Sequence, residues 1–152
     1  MTVWRIEKRQ YVETALTGEG ARVYGGRWNS SGRRAVYASA TLSLSALEKL
    51  VHLDRPGVRG NFLAIGIQLP ARTVDDVELE TLPRNWSKEL DFASTRRIGD
   101  DWLAENRSVV LAVPSALISR ERNFVLNPDH PDYGQVRITI QEPFVFDPRL
   151  AS

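Results

Sequence analysis

The sequence predicts a single α+β domain, a mixed or antiparallel sheet core with flanking helices. Two observations carry this. Six or seven short apolar or alternating runs read as strands, against two or three runs of helical period, and the two kinds do not alternate as a doubly wound fold requires. No Gly-x-Gly-x-x-Gly or P-loop pattern is present, so any bound nucleotide is held by side chains and loops. A chain of 152 residues fits one domain, taken here as residues 1–152, and buries about 68–70% of its unfolded surface.

Taken in order, Thr2-Val-Trp-Arg-Ile6 reads as a first strand with Arg5 embedded among apolar neighbours. An arginine so placed needs a partner or a ligand. Tyr11 to Gly20 shows no period and reads as an irregular segment, and Ala35-Val-Tyr-Ala38 reads as a short strand. From Leu42 the period lengthens: Leu44, Leu47, Leu50 and Val51 predict a helix over 42–53 with Thr41 as its N-cap. Asp54-Arg-Pro-Gly57 breaks the chain, and Asn61 to Leu69 is a strong strand, expected near the centre of the sheet and ended by Pro70.

The carboxylates Asp75, Asp76, Glu78 and Glu80 mark a solvated edge segment; without histidine or regular ligand spacing they do not make a metal site. Trp86 to Asn106 predicts one or two helices anchored by Leu90, Phe92, Ile98, Trp102 and Leu103, with Gly99 as a possible break. Ser108 to Val113 is a buried strand ended by Pro114-Ser115, Ser119 to Asn123 is turn-like, and Asn123 to Leu126 is another strand. In the loop Asn127 to Pro131, His130 is an acid or base on paper, though a lone histidine between Asp129 and Pro131 more often serves structure. Val136 to Phe146 closes the sheet, at an edge or with a bulge at Pro143.

Composition narrows the chemistry. With no cysteine there is no disulfide, thiolate zinc site or cysteine nucleophile, and no Gly-x-Ser-x-Gly elbow is present. No long apolar run or signal core is seen, so the expected location is the cytoplasm, away from any membrane. The net charge of +1 divides into +5 over residues 1–60 and −4 over residues 61–152. Seventeen of the twenty basic residues are arginine, a usage that suits bidentate recognition of a small phosphorylated ligand better than a broad nucleic-acid stripe, unless it reflects genome composition.

The stretch Gly25 to His52 sets Arg27, Tyr37 and Glu48 on a glycine-flanked turn, a strand and a helix in succession. Gly25, Gly26 and the Asn29-Ser-Ser-Gly32 cluster place Arg27 and Trp28 on a loop, free to meet a ligand. Glu48 lies at the edge of the helix's apolar stripe, partly desolvated and reachable, which suits stabilisation of a developing positive charge. Each residue also has a plain reading: Glu48 in a capping box with Ser45, Arg27 as a solvated arginine, Tyr37 as a core tyrosine. Ser115, just past a strand end, offers a hydroxyl to a ligand or caps a turn.

Trp4-Arg5, Gly26-Arg-Trp-Asn29, Val36-Tyr37, Leu47-Glu48, Val113-Pro-Ser115 and Asn123-Phe-Val-Leu-Asn-Pro-Asp-His-Pro131 follow one another over nearly the whole chain. Each motif alone is weak, but the ordered set resembles the RES-domain family, toxins of RES–Xre toxin–antitoxin pairs. The arginine, glutamate and serine that name the family fall at Arg27, Glu48 and Ser115. The resemblance implies an ADP-ribosyltransferase-like fold and release of nicotinamide from NAD, with water or inorganic phosphate as acceptor. NAD is then a substrate, and no separate cofactor or metal is expected. It implies as partner an Xre-like helix-turn-helix antitoxin that blocks the cleft and makes the DNA contacts, leaving no direct nucleic-acid contact to this chain. On that reading Glu48 stabilises the ribosyl cation, Arg27 and Arg5 clamp phosphate, Tyr37 stacks on nicotinamide or ribose and Ser115 hydrogen-bonds the ligand. Two alternatives stay open, transfer of ADP-ribose to a protein and a binding module without turnover.

Overall fold

The structure is a computed structural model that describes residues 1–70 and 74–151. Seven strands form one sheet: β1 (Thr2–Lys8), β2 (Val36–Ser39), β3 (Phe62–Gln68), β4 (Val74–Asp76), β5 (Val110–Pro114), β6 (Arg122–Leu126) and β7 (Arg137–Phe144). Their order is β4-β5-β6-β2-β1-β3-β7, antiparallel throughout except for the parallel β4–β5 edge. The helices are α1 (Glu19–Tyr24), α2 (Leu42–Leu50), α3 (Arg55–Val58) and α4 (Ala93–Glu105). This is the α+β architecture the sequence predicts.

Pairing is uneven across the sheet. β1 matches β3 along its whole length, yet meets β2 at the single pair Trp4↔Ser39. The sheet is therefore two halves, β4-β5-β6-β2 and β1-β3-β7, that part beyond Ser39. In that seam Arg5 Nη1 donates to the Tyr37 carbonyl at 2.8 Å, which β1 does not reach.

One face of the sheet buries Val3, Val36, Ala38, Ile65, Ile67, Val110 and Leu126. The opposite face carries two separate clusters. Under α4, Trp28, Trp86, Trp102, Leu111, Val113 and Val125 pack together; under α2, Ile6 and Phe62 meet Leu42, Ala46 and Leu50. Strand alternation puts Tyr37, Ser39 and Asn123 on this same face, between the two helices.

Several expectations need correction. The segment read as irregular holds a 3-10 turn, Arg9–Thr14, and the helix α1. Neither has a buried residue, so neither shows an apolar period. The helix from Leu42 stops at Leu50, capped by Thr41 as expected, whose side chain accepts from the Leu44 amide at 3.1 Å. Asp54-Arg-Pro-Gly57 is one helical turn rather than a break: Asp54 Oδ1 accepts from the Gly57 amide at 2.7 Å, and Pro56 sits where a first-turn N–H has no partner to lose.

Gly99 does not break α4; it is the point where the helix touches the Trp28 carbonyl, which a Cβ would meet at 1.7 Å. Leu90 anchors nothing, being 97% exposed. β3 is interior but second from the edge, with β2 at the centre. β7 is an edge strand, which tolerates Pro143, and its irregularity lies opposite Gly66/Ile67 rather than at the proline. His130 serves its loop, donating its backbone N–H to the Asn127 carbonyl and accepting from the Asp132 amide on Nδ1 at 3.0 Å.

Candidate active site

Arg27 is presented by a loop fixed from below and from the side. Tyr37 stands beneath it, its hydroxyl donating to Asn29 Oδ1 at 2.6 Å and accepting from the Trp28 amide at 3.0 Å. Burial pushes the Tyr37 phenol far above its ordinary range, so it stays protonated. The side-chain amide of Asn29 donates to the Ala21, Ser30 and Arg33 carbonyls, at 2.9, 3.2 and 3.1 Å. From the side, α4 supplies Thr95 Oγ1 to the Arg27 carbonyl at 2.5 Å, Arg96 Nε to the Gly26 carbonyl at 2.8 Å and Asp100 to the Ser30 amide and hydroxyl at 2.9 and 2.6 Å. Gly25 has φ 71° and Gly26 has no room for a side chain beside the Tyr37 hydroxyl.

The guanidinium of Arg27 lies 4.6 Å over the Phe92 ring and 5.9 Å from that of Trp86. Among the described residues its one side-chain hydrogen bond is a long 3.4 Å contact to the Ser87 carbonyl, and it makes no carboxylate ion pair. Burial lowers its proton affinity, and the charges of Glu48 and Glu89 act in the opposite sense. An arginine this enclosed and this poorly neutralised is ready for an anion. Phe92 holds its ring there from a left-handed backbone, φ 56°, a strained conformation for an aromatic residue of the kind that clusters at functional sites.

Glu48 faces Arg27 from α2. Its Oε1 accepts from Ser115 Oγ at 2.7 Å and from Asn123 Nδ2 at 2.8 Å. Ser115 Oγ in turn accepts from the Leu117 and Ile118 amides, both at 3.1 Å, and Asn123 Oδ1 accepts from Ser39 Oγ at 2.6 Å, which fixes the amide's orientation. Among the described residues Oε2 has no hydrogen-bond partner, and it is not closed off from solvent. One oxygen holds the carboxylate in place and the other is free to act.

Of the residues singled out from sequence, Glu48 and Ser115 are joined by a hydrogen bond, with Ser115 wholly buried beneath the carboxylate, and Arg27 lies near enough for the Glu48 charge to act on it, while the Tyr37 hydroxyl supports the arginine loop. Arg5 stands in the seam: Nη1 and Nη2 are taken by the Tyr37 carbonyl and Glu7, and Nε is buried without a partner. Glu7 also lies 3.6 Å from Lys49, next to Glu48 on α2. Sequence reasoning missed Asn123, Ser39, Phe92 and Arg96. Asn123 reaches Glu48 across 75 residues, a pairing no local pattern signals. A groove of about 480 Å³ adjoins the cleft, its walls including Leu82, Trp86, Ser87, Ala116 and Leu117. Among the described residues no cluster of three or more His, Asp or Glu side chains is placed to hold a metal ion.

A family model described as the RES domain matches residues 2–147. The chain is 36% identical over 151 residues to a protein of Photorhabdus laumondii named Toxin Res, covering 99% of this chain and 97% of that one. It is 34% identical over 152 residues to a Sphingobium protein named Prs ADP-ribosylating toxin, covering 97% of this chain and 94% of that one. In fold it is similar to a chain in the crystal structure of the M. tuberculosis MbcT–MbcA toxin–antitoxin complex, with a TM-score of 0.79 and 18% identity over 99% of this chain and 86% of that one.

Proposed function

Since this chain belongs to the RES-domain family, we propose that it is the toxin of a toxin–antitoxin pair and that it cleaves the nicotinamide–ribose bond of NAD. The observation that carries the reading is the Glu48 carboxylate, held by Ser115 and Asn123 through one oxygen, with the other open in a cleft that also contains an unneutralised arginine.

The chemistry asks for little more. As the C–N bond breaks, its electron pair moves to the pyridinium nitrogen, nicotinamide leaves neutral and the ribose gains oxocarbenium character. A fixed carboxylate near the sugar stabilises that charge, and because Glu48 is already oriented it does so without reorganising in the transition state. Arg27 holds phosphate and keeps the ribose beside Glu48. The acceptor oxygen, from water or inorganic phosphate, adds to the anomeric carbon, and a water proton passes to Glu48 or to solvent. Incubating the protein with NAD and following nicotinamide tests this: Glu48→Gln is expected to lower release by about 10²-fold or more. A Gln variant as fast as the parent contradicts the assignment.

A second reading is favoured by the name of the Sphingobium relative, transfer of ADP-ribose to a protein. Intact-mass analysis of a lysate incubated with NAD and the protein separates the two, a mass gain on a host protein supporting transfer. The proposed partner is an antitoxin protein of the Xre-like class, acting in the cytoplasm. Exposed Leu47 on α2 and Val51 at its C-cap, and Leu117 and Ile118 just past Ser115, give the neighbourhood of the cleft the apolar character a protein interface needs. No described helix is long and apolar enough to cross a membrane.

A further inference from the structure

Arg27 is not the only arginine on the Phe92 ring. The guanidinium carbon of Arg96 lies 5.2 Å from the same ring centroid, against 4.6 Å for Arg27. Arg96 reaches there from the first turn of α4, and its Nε donates to the Gly26 carbonyl, so it is tied to the loop that carries Arg27. Its terminal nitrogens make no hydrogen bond or carboxylate ion pair among the described residues, although Asp100 is one turn away on the same helix and is occupied instead by Ser30. Two cations gathered on one ring repel each other unless an anion joins them.

We propose that Arg27 and Arg96, stacked on Phe92, form a two-arginine anion site that takes the bridged phosphates of a dinucleotide. The proposal deepens the reading of this chain as an NAD-cleaving enzyme and rests on it for the identity of the ligand. Two planar forks suit a diphosphate, whose oxygens are spread over two phosphorus centres, better than a single carboxylate. Arg5 is less suited to the second position, because both its terminal nitrogens already have protein partners.

Arg96→Gln is the discriminating variant. Glutamine carries an N–H donor at the same number of bonds from the backbone as arginine Nε, so the bond to the Gly26 carbonyl is retained while the cationic fork is lost. The measurement is calorimetric titration of the purified full chain with inorganic pyrophosphate, alongside its thermal midpoint. Arg96→Gln is expected to weaken pyrophosphate binding about tenfold or more with the midpoint nearly unchanged, and Arg96→Lys to fall between it and the parent. Undiminished affinity in Arg96→Gln overturns the proposal, as does a lysine variant no better than glutamine, or a parent protein that binds no pyrophosphate. Nicotinamide release from the same preparations separates the two claims. Cleavage with a pyrophosphate affinity indifferent to Arg96 removes the anion site alone; an Arg96-dependent affinity without cleavage removes the NAD-cleaving reading alone.

Discussion

The two oxygens of Glu48 have different duties, and the difference depends on residues far away in sequence. Asn123→Ala removes one of the two donors to Oε1 and leaves the Ser39 hydroxyl without its acceptor. The carboxylate then turns about the remaining Ser115 bond, and the expected result is a fall in kcat of about tenfold with KM for NAD little changed. A rise in KM alone would mean that Asn123 touches substrate rather than Glu48. Tyr37→Phe acts on the other side of the cleft by stranding the Trp28 amide and Asn29 Oδ1. Unsatisfied buried groups of this kind cost about 1–3 kcal/mol each, so a lowered thermal midpoint is expected together with weaker NAD binding.

At the scale of elements, α4 is a clamp on the arginine loop, and its contact points have different tolerances. At Gly99 the neighbour is backbone, which cannot move aside. Gly99→Ala is therefore expected to cost about 3 kcal/mol, read as a lower denaturant midpoint. Phe92→Gly should behave otherwise: it relieves the left-handed strain, so stability holds while the ring under Arg27 and Arg96 is lost and NAD affinity drops. Six of the strands, α2 with its Thr41 cap and the core of α4 were legible in the sequence, through apolar runs, alternation or helical period; the short edge strand β4, with no buried residue, read only as a solvated edge segment. α1 was not, because none of its residues is fully buried and only Ala21 packs against the core. The candidate site was legible only in part: Arg27, Glu48 and Ser115 stood out by their places on a turn, a helix edge and a strand end and again through the ordered motifs, whereas the contacts of Arg96 on α4 and Asn123 on β6 were hidden. Their roles depend on contacts 70 and 75 residues away.

For the molecule as a whole, the single Trp4↔Ser39 pair divides the sheet, with α2 packed on one half and α4 on the other. Glu48 rides on α2, yet Ser115 and Asn123, which hold its carboxylate, belong to the half of the sheet on which the Arg27 loop packs, so the helix and the arginine loop are tied to one another through β5 and β6. Away from the cleft, Tyr133 ties its 3-10 turn to the opening segment through a bond to the Leu16 carbonyl at 2.7 Å, and burial pushes its phenol up to about 12. A raised phenol favours the protonated folded state, so its contribution is full below the unfolded value of about 10 and is lost as pH rises towards 12. Tyr133→Phe should flatten that part of an alkaline unfolding profile, and an unchanged slope would mean that other groups govern it.

The central claim is that Glu48 and Arg27 form one catalytic cleft that acts on NAD. Its most direct test is nicotinamide release from NAD by the purified chain, with and without inorganic phosphate, beside Glu48→Gln. Release that the glutamine variant loses by about 10²-fold or more is the result expected, and a phosphate-dependent ribose product would name the acceptor. A folded protein free of antitoxin that releases no nicotinamide in either buffer would contradict it.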